Sequence, residues 1–294
     1  MKLSFLTLLF KRFPLEYCFK VAHDYGFEGI EIWGGRPHAY YYDMDKQAIA
    51  DLNSWKKKYG LEISMFVPEI LSYPYNMCSR LATERRDAVD YLVKSTELAA
   101  AMGTERIQIT APHPGYLVNK DEVWEHLVYG LTKISERAGE LGVKVIIEHL
   151  SYSEGGDLLT TADDLVKVIR DVNRPALYSM IDVVPPFLAN EPYAECLEKL
   201  GEKMDYLHLC NNDGVTEVHT PLDDPNGVLP LKDFFRVIKR YGYNGWASIE
   251  LLAPYFRRCI LRARSSIWKA FSTRSASPAA ERRCGMRITQ EGSF

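Results

Sequence analysis

The feature that most constrains this chain is a recurring unit: a short apolar segment, a loop, and then an amphipathic segment with helical spacing. Eight apolar segments predict β-strands: Leu3–Leu8, Gly29–Trp33, Leu61–Val67, Arg106–Thr110, Lys144–Leu150, Leu177–Val183, Tyr206–Leu209 and Trp246–Leu251. The apolar spacing between them predicts helices, among them Leu15–Tyr25, Ala82–Met102, Glu122–Leu141, Ala162–Val172 and Leu231–Tyr241. Thr161, followed closely by Asp163 and Asp164, has the pattern of a helix N-cap.

Eight strand–helix units in roughly 250 residues match the arithmetic of a (β/α)8 TIM barrel. A doubly wound parallel sheet is the main alternative, but it usually has five to seven units and a GxGxxG turn after its first strand. The sequence contains no such turn there. We therefore predict an α/β protein with one barrel domain over residues 1–255.

Residues 256–294 depart from this pattern and form an atypical basic C-terminal tail. They contain nine basic and two acidic residues, a net charge of +7, so residues 1–255 carry −10 of the total −3. We expect a partly helical start and a poorly ordered remainder, Ser272–Phe294. Three interpretations stay open: an extension without function, a basic segment for RNA or an acidic surface, and an altered reading frame that replaces an eighth helix.

Charge and hydropathy exclude several classes of protein. A net charge of −3 argues against a general nucleic-acid binder, and no apolar segment approaches the ~20 residues that span a bilayer. The apolar stretch Leu3–Phe10 ends in Lys11 and Arg12 without a cleavage site of small residues, so we interpret it as a strand and expect a cytoplasmic protein. The six cysteines lack paired spacing, which argues against a disulfide framework or a structural zinc site and predicts that most are buried.

Four consecutive predicted strands each carry one ionisable residue within or just after an apolar run: Glu148, Asp182, His208 and Glu250. Burying a single charge is costly without a partner, and four at the same level indicate a shared cation. Three carboxylates and one imidazole suit Mn²⁺, Co²⁺ or Mg²⁺, with Ni²⁺ as a further candidate. His149 points to the opposite face of its strand, so we expect it to be packed rather than a ligand.

Glu148 and Glu250 come from strands three steps apart around the ring and can approach a substrate from opposite sides. Two carboxylates flanking one carbon suit proton removal on one face and delivery on the other, which is isomerase or epimerase chemistry. Metal-assisted hydrolysis is an alternative for the same groups, although it usually needs a second metal.

Local sequence adds a resemblance to a known family. The segments Gly29–Ala39 (GIEIWGGRPHA), Tyr73–Met77 (YPYNM) and His113–Leu117 (HPGYL) resemble the xylose-isomerase-like barrel superfamily of sugar isomerases and epimerases, and within it the 3-epimerases of amino-acid-linked ketoses. The similarity runs from about Met1 to Pro254. It implies a metal, Mn²⁺ foremost, held by Glu148, Asp182, His208 and Glu250, with both glutamates as the acid/base pair at C3. It also implies that Glu154 touches substrate oxygens, that the reaction passes through a cis-enediolate, and that the partner is a small sugar.

The sequence departs from free-ketose 3-epimerases, which are expected to carry a histidine at the position of Pro185 and an arginine at that of Gly214. A simple ketohexose substrate is therefore in doubt. Endonuclease IV-like relatives use a DxH pair where this chain has Glu217, Val218 and His219, and we expect His219 to lie in the outer shell of the metal or away from it.

Other polar residues follow the earlier strands. His38, His113 and Glu69 are candidates for binding substrate hydroxyls, against the alternative that each bonds only within its loop. Trp33 and Tyr75 are candidates for the pocket wall or for packing. The remaining histidines, His23 and His126, are expected on the surface or in helix packing.

Alternatives to the epimerase stay open. They are a 3-epimerase of another ketose, an isomerase of the aldose–ketose, sugar-phosphate or hydroxypyruvate type, and a barrel that binds a sugar or nucleic acid without turnover. The isomerase requires that hydrogen passes between C1 and C2. A phosphorylated substrate depends on Arg257 and Arg258, and a homo-oligomer is a further expectation.

Overall fold

The computed structural model describes residues 1–216 and 218–251. Within them, eight parallel strands form one sheet in which neighbouring strands follow the order of the chain. The strands are β1 (Lys2–Phe5), β2 (Gly29–Gly34), β3 (Glu62–Pro68), β4 (Arg106–Thr110), β5 (Lys144–Glu148), β6 (Leu177–Asp182), β7 (Met204–Leu209) and β8 (Trp246–Ile249).

The sheet curves until its two edge strands, β1 and β2, meet. β1 pairs with β8 along its length, whereas β1 and β2 are joined by a parallel bridge between Leu6 and Glu31. The backbone N–H of Glu28 also donates to the carbonyl of Leu3 at 3.1 Å. The predicted (β/α)8 barrel is therefore confirmed.

The helices that cover the sheet in the described residues are α1 (Leu15–Asp24), α2 (Lys46–Tyr59), α3 (Ala82–Met102), α4 (Lys120–Glu140), α5 (Ala162–Val172), α6 (Val184–Leu188), α7 (Tyr193–Leu200) and α8 (Leu231–Arg240). The N-cap at Thr161 is confirmed: its hydroxyl accepts from the N–H of Asp164, whose carboxylate accepts from the N–H of Thr161. This reciprocal pairing satisfies two backbone donors at the start of α5.

Four predicted strands extended past their observed C-terminal ends. The first strand ends at Phe5 rather than Leu8, because Thr7–Phe10 turns into a 3-10 helix and the Thr7 hydroxyl accepts from the N–H of Trp33. The other three end at Glu148 rather than Leu150, at Asp182 rather than Val183 and at Ile249 rather than Leu251. The helices α2, α6 and α7 were not among those predicted.

Two apolar layers form the core. The larger one lies between the sheet and the helices. The smaller one fills the barrel interior with large side chains from five strands: Met65, Ile146, Met180, Tyr206 and Trp246. Because side chains alternate along a strand, the residues two positions further on also point inward, one level higher. This level contains Glu148, Asp182 and His208, so the interior apolar layer is the floor of a polar site at the carboxyl ends of the strands.

The four described cysteines, Cys18, Cys78, Cys196 and Cys210, are buried free thiols, as the sequence indicated. None of the helices in the described residues has the length and apolarity needed to cross a bilayer. The predicted tail, residues 256–294, and the candidate phosphate ligands Arg257 and Arg258 lie outside the described residues.

Candidate active site and metal centre

The four strand-end residues singled out in the sequence converge on one point. One ligand atom from each of Glu148, Asp182, His208 and Glu250 lies within 4.8 Å of the other three. Asp182 and His208 are register partners in β6 and β7. Glu250 follows β8 directly, and its backbone N–H donates to the carbonyl of Leu209 at 3.1 Å, which keeps it attached to the sheet.

His208 lies at the centre of this group. Its Nδ1 is 2.8 Å from Glu250 Oε2, 3.3 Å from Glu148 Oε1 and 3.9 Å from Asp182 Oδ2. The imidazole is fully buried, and the Glu148 and Asp182 residues are 6% and 2% exposed. Three carboxylates thus face one ring nitrogen in a space that excludes most water.

The opposite nitrogen of the His208 ring contacts a residue to which no role was assigned from the sequence. Nε2 of His208 is 2.9 Å from Glu31 Oε1, and Glu31 is fully buried on β2. The other oxygen, Oε2, lies 3.2 Å from the Tyr206 hydroxyl, whose single proton faces both this oxygen and the Ser64 hydroxyl at 2.8 Å. A metal-binding histidine commonly donates its second N–H to a carboxylate, which fixes the tautomer and the ring orientation.

The signal for Glu31 was present in the sequence. It is an ionisable residue within the apolar strand Gly29–Gly34, the same criterion that selected the other four residues.

Burial and close ionisable neighbours shift the pKa values of this group. Burial raises the pKa of Glu148, and burial raises the pKa of Asp182 to about 8. Burial also acts to raise the pKa of Glu250, but His208 and His219 outweigh it and lower that pKa below its ordinary value. For His208, burial opposes the cation, yet Glu250 and Glu31 raise its pKa well above the ordinary value.

The donor set fits a divalent cation. Asp182 Oδ2 is a buried atom without a hydrogen-bond partner, and it belongs to the four-residue group. A cation bound there would compensate the carboxylates and give this oxygen a partner. Carboxylate oxygens with one imidazole are ligands of Mn²⁺, Co²⁺ and Mg²⁺ rather than of a thiolate-type zinc site.

A cavity opens above this group. Its lining contains Glu148 and Glu250, together with the predicted substrate-binding residues Glu69 and Glu154. Glu69 is held in place, since its Oε2 accepts from Trp33 Nε1 at 2.7 Å and its Oε1 accepts from the N–H of Ser72 at 2.8 Å. Trp33 also lines the cavity. Two residues with no role assigned from the sequence, Gln108 and Thr110 on β4, complete its polar lining.

The structure places two other candidates elsewhere. His38 is buried against Trp33 and its Nε2 lies 3.0 Å from the carbonyl of Phe13. His113 accepts through Nδ1 from the N–H of Gly115 at 2.9 Å within its own loop. Neither belongs to the described lining of the cavity, so their binding of substrate stays a prediction.

Three other side chains considered in the sequence analysis, Tyr75, His219 and His149, have separate surroundings. Tyr75 stacks on Tyr91 with a centroid distance of 3.9 Å and serves packing. His219 Nδ1 lies 3.4 Å from Glu250 Oε2, beside the four-residue group. His149 is fully buried and outside that group, and burial lowers its pKa to about 4.

Comparison with known proteins decides the family. Residues 19–269 match the family model described as "Xylose isomerase-like TIM barrel". The chain belongs to this family. Among curated members, it is 32% identical over 267 residues to fructoselysine 3-epimerase of Shigella flexneri, which covers 91% of this chain and 96% of that one.

Two more distant proteins also match most of this chain. A probable ketose 3-epimerase of Synechocystis sp. is 24% identical over 80% of this chain and 77% of its own length. The crystal structure of a D-tagatose 3-epimerase-like protein superposes with a TM-score of 0.80 at 20% identity, covering 92% of this chain and 97% of that chain. The relatives at 32% identity are epimerases, and this family member is an isomerase-class enzyme.

Proposed function

We propose that this enzyme inverts the configuration at C3 of a ketosamine, interconverting fructoselysine and psicoselysine. The observation that carries the proposal is the pair of carboxylates, Glu148 and Glu250, that reach one buried point from separate strands. Both line the cavity above it, which supports a ketose bound between the two carboxylates.

The acid/base chemistry follows from this arrangement. One glutamate removes the proton from C3, and the electron pair left behind forms the cis-enediolate of C2 and C3. The other glutamate delivers a proton to the opposite face of C3, which inverts the centre with no net gain or loss of atoms. The roles exchange when the other epimer is the substrate.

Glu148, Asp182, His208 and Glu250 would hold the metal, for which we propose Mn²⁺. When bound, a divalent ion supplies Lewis-acid stabilisation of the negative charge that develops on the ketose oxygens. Glu31 holds His208 with Nδ1 directed at the centre. Gln108 donates through Nε2 to Glu148 Oε2 and so orients the carboxylate whose Oε1 faces His208.

The charge of the cavity supports an amine-bearing substrate. Its lining contains Glu69 and Glu154 in addition to the acid/base pair and, among the described residues, no lysine, arginine or histidine. A ketosamine has a protonated amine at C1 at neutral pH, and a fixed carboxylate such as Glu69 is a suitable partner for it. The same lining disfavours a phosphorylated sugar.

The proposal is tested with Glu148→Gln and Glu250→Gln. Each variant should abolish formation of psicoselysine, because inversion requires an acid/base group on both faces. Glu62→Gln is the control, since Glu62 is exposed at the start of β3, at the other end of the barrel. Circular dichroism and metal content accompany the assay. Full epimerase activity in either active-site variant would remove the two-carboxylate mechanism.

A further inference from the structure

Two buried polar atoms on β4 lack a hydrogen-bond partner. They are Oε1 of Gln108 and Oγ1 of Thr110, in residues that are 5% and 6% exposed. Leaving a buried acceptor or hydroxyl unpaired destabilises a fold, so each such atom calls for a physical reason.

Their location separates these two atoms from other buried atoms without a partner. Ser135 Oγ on α4, for example, is equally buried and unpartnered but lies outside the cavity lining. Of the unpartnered side-chain atoms in the described residues, only those of Gln108 and Thr110 belong to residues that line the cavity with Glu148 and Glu250.

The hydrogen bond to Glu148 fixes how the Gln108 amide is turned. Because Nε2 donates to Glu148 Oε2, the other end of the amide is the carbonyl oxygen, which only accepts. The missing partner of Gln108 is therefore a donor. Thr110 is the register partner of Glu148 and lies one inward position nearer the cavity mouth than Gln108. The hydroxyl of Thr110 can donate or accept.

We propose that Gln108 and Thr110 form a subsite for the hydroxyl groups of the sugar chain. This rests on the proposed function and adds residues that select the polyol part of the substrate. Alternate residues on one strand face are about 7 Å apart, so the two side chains bind different hydroxyls. Gln108 binds the one closer to the reacting carbon and also positions Glu148, whereas Thr110 binds one closer to the mouth.

Thr110→Val isolates the second contact, because it removes Oγ1 and changes the side-chain volume little. We expect KM for fructoselysine to rise about 3- to 10-fold, the effect of one neutral hydrogen bond, with kcat retained. Gln108→Met should raise KM and also lower kcat, since Glu148 loses its orienting donor. Ser135→Ala removes an equally buried, unpartnered hydroxyl and should change neither constant.

Singly deoxygenated substrates identify the contact. For one analogue, lacking the hydroxyl that Thr110 binds, wild-type protein and Thr110→Val should have the same KM. Unchanged KM in both cavity variants would overturn the proposal, with ordered water as the partner of both atoms. The proposal would also be overturned if Thr110→Val raised KM by the same factor for every analogue, because the substitution would then act through packing rather than through one hydrogen bond.

Failure of the proposed function has a different signature, namely no epimer from metal-loaded wild-type protein. Calorimetric binding of fructoselysine and its deoxygenated analogues to the Mn²⁺-loaded protein then tests the subsite without turnover. Equal affinities of wild-type protein and Thr110→Val for every analogue would reject it. The subsite would be supported if Thr110→Val bound fructoselysine several-fold more weakly than wild-type protein did, and if the two proteins bound one of the analogues equally well.

Discussion

Replacing Glu31 should weaken metal binding although this residue does not face the metal site. Glu31→Ala removes the acceptor of the His208 Nε2–H at 2.9 Å and one of the partners of the Tyr206 hydroxyl. Tyr206 keeps Ser64 and Ser4, so one buried donor loses its only partner among the described residues. An orphaned buried donor costs about 1–3 kcal/mol. Loss of an outer carboxylate typically lowers metal affinity about 10- to 100-fold, equivalent to roughly 1.4–2.7 kcal/mol.

The measurement is calorimetric titration of Mn²⁺ into metal-free protein, with the visible absorption of the Co²⁺ form as a second readout of ligand geometry. Glu31→Gln retains an oxygen that accepts from His208, and we expect it to recover part of the lost affinity. Glu28→Gln is the matched control, because Glu28 lies just before the same strand but accepts from the backbone N–H of Leu3 at the opposite end of the barrel. If folded Glu31→Ala bound Mn²⁺ with wild-type affinity and gave an unchanged Co²⁺ spectrum, the positioning role would be refuted.

Two further predictions concern substrate charge and acid stability. Glu69→Gln should weaken calorimetric binding of fructoselysine about 10-fold and leave binding of fructose unchanged, since only the ketosamine has an ammonium for this carboxylate to pair with; an equal effect on both sugars would contradict the charge argument. His149 has a pKa lowered from 6.5 to about 4 by burial, so the neutral form is favoured in the folded state and stability is lost as pH falls from about 6.5 towards 4. Urea unfolding of His149→Leu across this range should therefore show a shallower pH dependence than wild-type protein; an unchanged slope would contradict it.

Much of the site was predictable because of strand periodicity. The four candidate metal ligands interrupt apolar strands at one level, and a parallel barrel brings the carboxyl ends of its strands together. The same reasoning separated Glu148 from His149, which points to the helix layer.

The sequence could not predict contacts that depend on the direction of side chains across the barrel. Glu31 pairs with His208 from the far side of the ring, a contact between residues 177 positions apart. The unpaired oxygen of Gln108 becomes evident only once its amide is seen to donate to Glu148. His38 and His113 follow strands on the catalytic side, but each makes a hydrogen bond to a loop, and neither belongs to the described lining of the cavity.

Proton exchange at C3 tests the central claim most directly. Mn²⁺-loaded protein is incubated with fructoselysine in D₂O, the metal is chelated, and the separated sugars are analysed by mass spectrometry with the label located by fragmentation. We predict psicoselysine with one deuterium, located at C3. A label at C1, or an epimer formed without any deuterium, would contradict an enediolate between C2 and C3 formed by Glu148 and Glu250.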